Sequence, residues 1–340
     1  MRKFEGFQHG INLGGWLSQC DYREERYENF IKEEDIRRIS EWGLDHIRIP
    51  IDYNLVEDEQ GGYLESGFAH LKDGVDWALK YGLNVIIDLH KTYGYSFDRK
   101  EGEEGFFEKE EYQERFYRLW EEIARRFGPL GDRVAFELLN EVTDKEYCEV
   151  WNAIAEKCVK RIRKICPQTR ILIGGYYNNS VVAVKDLWKP HDENIVYNFH
   201  CYNPLVFTHQ GAYWIPRMPH DFRIGIDEDL EKMRDLTPEV TGRLMSGYDE
   251  SREKLNADYF RGLFAEAIKV AEERDVPLYC GEYGVINLAD PEETLRWYQM
   301  IHEVFEEKGI GRAAWSYKEM DFGFIDEHLK DVLDDIIKLL

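Results

Sequence analysis

Two glutamates, Glu141 and Glu282, each follow a short apolar run, in VAFELLNE and PLYCGEYG. Carboxyl groups so placed suit cleavage of a glycosidic bond, in which one protonates the leaving oxygen and the other meets the anomeric carbon from the opposite side. Two such groups close together cannot share one pKa, so the chemistry requires one ionised and one neutral near working pH. Arg48 and Tyr202 are expected beside Glu282, where a cation and a hydroxyl donor favour the charged form, and this makes Glu282 the nucleophile. Glu141, kept protonated by burial and by repulsion from Glu282, is then the general acid and afterwards the base that activates water.

Other polar residues end apolar runs in the same way. Asn140 precedes the acid, can donate and accept, and fits a hydrogen bond to a sugar 2-hydroxyl, with strand alternation separating its side chain from that of Glu141. His90 is assigned to a sugar hydroxyl, His200 to the network that supports the carboxylates, and Trp315 to an apolar floor beneath the bound ring. Trp16 and Trp214 are further stacking candidates. Metal and cofactor are not expected: there is no H-E-x-x-H and no close His/Cys cluster, and no G-x-S-x-G elbow supports a serine nucleophile. The basic run Lys157 to Lys164 falls at helical spacing among Val159, Ile162 and Ile165 and reads as a solvated helix face.

Elements must bring these residues to one place. Eight apolar, β-branched runs are strand candidates, at 11–16, 46–51, 84–90, 134–141, 171–175, 195–202, 277–284 and 311–317. Helical patterns alternate with them near 33–42, 66–81, 110–127, 145–165, 180–187, 253–274, 291–308 and 326–340. Eight such pairs predict an α/β fold, a closed (β/α)8 TIM barrel whose working residues sit at the C-terminal strand ends. An open doubly wound sheet is the other reading, but GINLGG lacks the G-x-G-x-x-G spacing. The expected organisation is one catalytic domain over residues 1–340. Residues 203–252, with a helical stretch near 227–235, form an inserted subdomain at the barrel mouth after the sixth strand.

The 67 acidic residues exceed the 44 basic ones, and a net charge of −23 would repel nucleic acid and anionic membranes. Neither is an expected partner. The six cysteines form no C-x-x-C pair and no dense framework, which suits free thiols. No run approaches a membrane span, and MRKFEGFQHGINLGGW lacks the apolar stretch of an export signal. A cytoplasmic monomer is expected, or a secreted one should an export signal belong to the natural chain.

The pattern resembles glycoside hydrolase family 5, the cellulase family, over nearly the full length. Family members carry Arg, His, Asn-Glu, His-x-Tyr, Glu and Trp in that order, and here stand Arg48, His90, Asn140-Glu141, His200-Cys201-Tyr202, Glu282 and Trp315. The segments GINLGGW, FELLNEV, IVYNFHCYNP, FTHQGAYW and LYCGEYGVI look like the clostridial endoglucanase C group of that family. One departure is Lys91, where the family often has a second His or an Asn. The resemblance implies a retaining endo-β-1,4-glucanase acting on β-glucan polymers or oligosaccharides. Alternatives are a β-glucosidase or exo-glucanase, a mannanase or β-1,3-glucanase, and a sugar-binding barrel without turnover.

Overall fold

Ile47, Ile49 and Ile51 on one strand, and Val85, Ile87 and Leu89 on the next, are fully buried in the layer between sheet and helices. Their neighbours along each strand are buried inside the sheet, as a parallel strand covered on both faces requires. The computed structural model, which describes residues 1–340, closes eight such strands into a parallel barrel in sequence order. They are β1 (His9–Asn12), β2 (His46–Asp52), β3 (Asn84–Lys91), β4 (Val134–Glu137), β5 (Arg170–Ile173), β6 (Ile195–Cys201), β7 (Leu278–Tyr283) and β8 (Gly311–Ala314). The expected barrel is therefore the observed one.

The surrounding helices are α1 (Glu33–Glu41), α2 (Glu65–Lys80), α3 (Glu110–Phe127), α4 (Cys148–Ile162), α5 (Leu230–Thr241), α6 (Ala257–Arg274), α7 (Pro291–Lys308) and α8 (Leu333–Ile337). Helix α7 shows how sequence sets the bounds. Asp290 accepts from the amides of Glu292 (3.0 Å) and Glu293 (3.2 Å), Pro291 opens the first turn, and Gly309 ends the helix at φ 65°.

Several expected elements differ, among them the eighth strand, which ends at Ala314 and not at 317. The first strand ends at Asn12 because the chain turns at Gly14-Gly15: Gly15 has φ 73°, and a Cβ on Gly14 would lie 2.7 Å from the Trp315 indole. The fourth strand stops at Glu137, so Asn140 and Glu141 lie beyond it and strand alternation does not separate them. Residues Val181–Asp186 form a 3-10 stretch and not an α-helix, a segment short enough for the tighter winding used in connectors. Of 326–340, a 3-10 turn and the short α8 alone are helical.

Between β6 and α6 lie a helical turn, Leu205–Thr208, and α5, which starts later and runs longer than expected. Ala212 from this segment is buried with Ile286, Trp315 and Phe322, and Trp214 packs against that group. No helix is long and apolar enough to cross a membrane.

Candidate active site

Period-two alternation stacks side chains in layers inside the barrel. The lowest layer is mainly apolar, with Ile86, Ala135, Leu172, Val196, Tyr279 and Ala313 sealed by Phe4 and Phe7, and with His46 of β2 meeting Tyr279 Oη at 2.7 Å. Two residues further along the strands come Arg48, Asp88, Glu137 and Asn198, all buried. Arg48 is the hub of this layer. It grips Glu137 in a bidentate pair (2.7 and 2.8 Å), meets Asp88 at 3.0 Å, and donates to Asn12 (2.8 Å), Asn140 (3.0 Å) and Oε1 of Glu282 (2.8 Å). A guanidinium has enough fixed donors to hold so many acceptors. Burial opposes its charge, but the carboxylates outweigh burial and raise its pKa well above the usual value. Burial pushes Asp88 up to about 7, with Arg48 opposing, and it raises Glu137 against the same opposition.

The imidazoles form the next layer. His90 Nδ1 lies 2.7 Å from Asp88 Oδ2, and the ring stacks on Trp315 at 5.8 Å and 9°. Asp88 thus selects the Nδ1–H tautomer and leaves Nε2 to accept. His200 Nδ1 lies 2.9 Å from Glu141 Oε1 and 3.5 Å from Glu282 Oε2. Burial lowers the pKa of both rings, that of His200 to about 4, so each is neutral near pH 7.

Glu282 owes its direction to a β-bulge. Phe199 pairs with Cys280, but His200 pairs with Glu282, so Gly281 is an extra residue in β7. Simple alternation from inward Tyr279 would turn Glu282 toward the helices, and the bulge turns it inward beside His200. Only glycine fits there: a Cβ on Gly281 would stand 2.7 Å from Asn198 Oδ1 and 3.1 Å from His200 Nε2. The Gly281 amide donates to Asn198 (2.9 Å), whose Nδ2 donates to Glu137 (2.8 Å). Tyr202 Oη completes the setting with a 2.9 Å bond to Glu282 Oε2.

Glu141 is held by a different device. Its backbone is in the left-handed region, φ 37°, and its carbonyl accepts from Tyr95 Oη at 2.8 Å. Oε2 accepts from Asn178 Nδ2 at 2.9 Å. Burial is the leading cause of a raised pKa, and the Asn178 bond opposes it. One ligating atom each from Glu141, His200 and Glu282 lies within 4.8 Å of the others. A cation could be coordinated at that spacing, but Arg48 already presents a positive charge 2.8 Å from Glu282.

All eight expected residues, Arg48, His90, Asn140, Glu141, His200, Tyr202, Glu282 and Trp315, meet at this mouth. Trp16 does not: it is buried between barrel and helices, donates to the Tyr27 carbonyl at 2.8 Å and stacks on Trp77. Trp214 packs edge-on against Tyr213 and His209 near the Trp315 group. Lys91 is occupied by Tyr22 (2.7 Å) and Glu101 (3.3 Å). Sequence reasoning missed Glu137, Asn198 and Asn12, although Glu137 and Asn198 stand at period two inside apolar runs. Nothing local in YYNN marks Asn178 as a partner of the acid.

A closed parallel barrel with two carboxylates converging over its C-terminal mouth defines a glycoside hydrolase. The model of the cellulase family, glycosyl hydrolase family 5, matches residues 7–321, and the chain belongs to that family. Cellodextrinase A of Ruminococcus flavefaciens is 49% identical over 314 residues, 92% of this chain and 86% of that protein. Endoglucanase C of Acetivibrio thermocellus is 37% identical over 342 residues, 98% of each chain. The structure of Thermotoga maritima Cel5A with cellobiose matches at TM-score 0.77 and 26% identity, covering 99% of this chain and 100% of that one. The same enzyme in complex with mannotriose also matches at 0.77 and 26%, covering 100% of both.

Proposed function

We propose that the protein is a retaining endo-β-1,4-glucanase in which Glu282 is the nucleophile and Glu141 the acid and base. The observation that carries this reading is the closeness of the two carboxyl groups, within 4.8 Å at their ligating atoms. Double displacement uses a separation of about 5–5.5 Å, whereas inversion needs about 6.5–9.5 Å to admit water between the groups.

In the first step an oxygen of Glu282 bonds to C1 of the sugar as the C1–O bond breaks, and Glu141 gives its proton to the departing oxygen. Burial raises the pKa of Glu141 and so favours its protonated form, while Arg48 and Tyr202 orient the attacking carboxylate. In the second step water gives a proton to Glu141, its oxygen bonds to C1 and the bond to Glu282 breaks. Asn140, with Oδ1 committed to Arg48, turns Nδ2 to the sugar 2-hydroxyl, and Trp315 forms the floor.

Short cellodextrins are the second reading, favoured by the 49% identity to a protein named a cellodextrinase. Measuring reducing ends released from carboxymethyl cellulose, barley β-glucan, laminarin, mannan and cellobiose separates these. Fast viscosity loss on the first two is expected, and activity confined to short oligomers would move the assignment to a cellodextrinase. Glu282→Ala is expected to lose about 10⁴-fold or more in kcat. Azide should restore Glu141→Ala with a β-glycosyl azide product and Glu282→Ala with an α-glycosyl azide. The reverse pairing of products would exchange the two roles.

A further inference from the structure

Glu141 is linked to the segment inserted after β6 by two consecutive hydrogen bonds. Arg243, just beyond the end of α5, donates from Nη2 to Asn178 Oδ1 at 2.9 Å, and Asn178 Nδ2 donates to Glu141 Oε2 at 2.9 Å. Arg243 is exposed, and its side chain makes this single hydrogen bond. The backbone of Asn178 is fixed on the strip that carries the acid: the amide of Tyr177 donates to Thr143 (3.1 Å) and that of Asn178 to Val142 (2.9 Å). Tyr177, Asn178 and Asn179 all have φ between 52° and 58°. With the backbone anchored, what remains free in Asn178 is its side chain, including which end of the amide faces Glu141.

We propose that Arg243 is a positioning residue that sets this amide so that the acid always meets a donor. Arginine has only donors, so the Asn178 oxygen must face it and the NH2 must face Glu141. That end stabilises the carboxylate which forms as Glu141 releases its proton to the leaving oxygen. A flipped amide would present its carbonyl instead, accept a hydrogen bond from protonated Glu141, and hold back the proton that the reaction transfers. The other groups near the Glu141 carboxyl are His200 and Glu282, with Arg48 and His90 behind them and Tyr95 on its backbone carbonyl, and the Asn178 oxygen bonds only Arg243. The charge of Arg243 also lowers the pKa of Glu141. The inference rests on Glu141 being the acid.

Its test compares kcat/KM across pH for the full chain, Arg243→Ala, Arg243→Lys and Glu141→Ala on two substrates. Cellotetraose has a leaving group that needs a proton; 2,4-dinitrophenyl β-cellobioside has one that does not. Arg243→Ala is expected to lose about tenfold on cellotetraose and clearly less on the dinitrophenyl substrate. Its alkaline limb should move to higher pH, and Arg243→Lys should recover most of both effects. Equal losses on the two substrates, or an alkaline limb that stays in place, would overturn the inference while Glu141→Ala still shows the leaving-group dependence. If Glu141→Ala lacks that dependence, the acid assignment itself fails.

Discussion

Arg48 holds more of the site than any other side chain, because it is the cation common to Asp88, Glu137 and Glu282. Arg48→Met would leave three buried carboxyl groups without a counter-charge, which costs about 3–5 kcal/mol where one partner of a buried pair is removed. The variant should unfold at markedly lower urea concentration than the natural chain and lose hydrolysis even where it remains folded. A denaturation midpoint unchanged by the substitution would show that the carboxyl groups are neutral without it. At this scale much was legible in the sequence. A lone Arg inside HIRIPI and a Glu ending LYCGE have no packing explanation, and they do meet. Glu137 is equally conspicuous inside VAFELL, but it lies one layer beneath the strand ends, where sequence position alone does not mark a residue as part of the site. Trp16 failed for the opposite reason, since aromatic type says nothing about which face a loop residue turns.

The elements were read from their apolar runs with good bounds wherever both faces of a strand are buried. What the runs did not contain is register. The bulge at Gly281 belongs to the pairing of β6 with β7, so no property of LYCGEYG alone reveals that Glu282 points inward. Gly281→Ala tests the device. The added methyl would press on Asn198 and His200, cost about 1–3 kcal/mol and shift the glutamate. A displacement near 1 Å would cost about 100-fold in kcat. A crystal structure of the variant should show His200 and Glu282 moved apart, and full activity with an unmoved Glu282 would refute the steric argument. The fourth strand is shorter than its apolar run for a related reason: Leu138 and Asn140 still donate to neighbouring strands, so the run continues past the point where regular pairing ends.

For the whole molecule, two desolvated imidazoles, buried His200 and half-buried His209, shape how stability responds to acid. Burial lowers His200 to about 4 and His209 to about 3, below the value near 6.5 of an unfolded chain. Between those limits the unfolded state binds the proton and the folded state does not. Their contribution is therefore complete above about pH 6.5 and is lost as pH falls, by at most ~1.4 kcal/mol per pH step for buried His200 and by less for half-buried His209. Asp88 acts in the opposite sense: its raised pKa means that stability is lost as pH rises toward about 7. His209→Gln isolates the first effect. Its melting temperature should fall less than that of the natural chain between pH 6.5 and 4, and parallel curves would show that His209 is protonated in the folded state.

The barrel seam carries a consequence for how function arises during folding. Asn12 on the first strand donates to the carbonyls of Gly281, Ala313 and Ala314, and the Trp315 indole lies against Gly14. The surface on which a sugar ring would rest is thus built jointly by the two ends of the chain. A polypeptide emerging from synthesis has no working cleft until its last strand slots between the first and the seventh, so catalytic power arrives in one step, at closure.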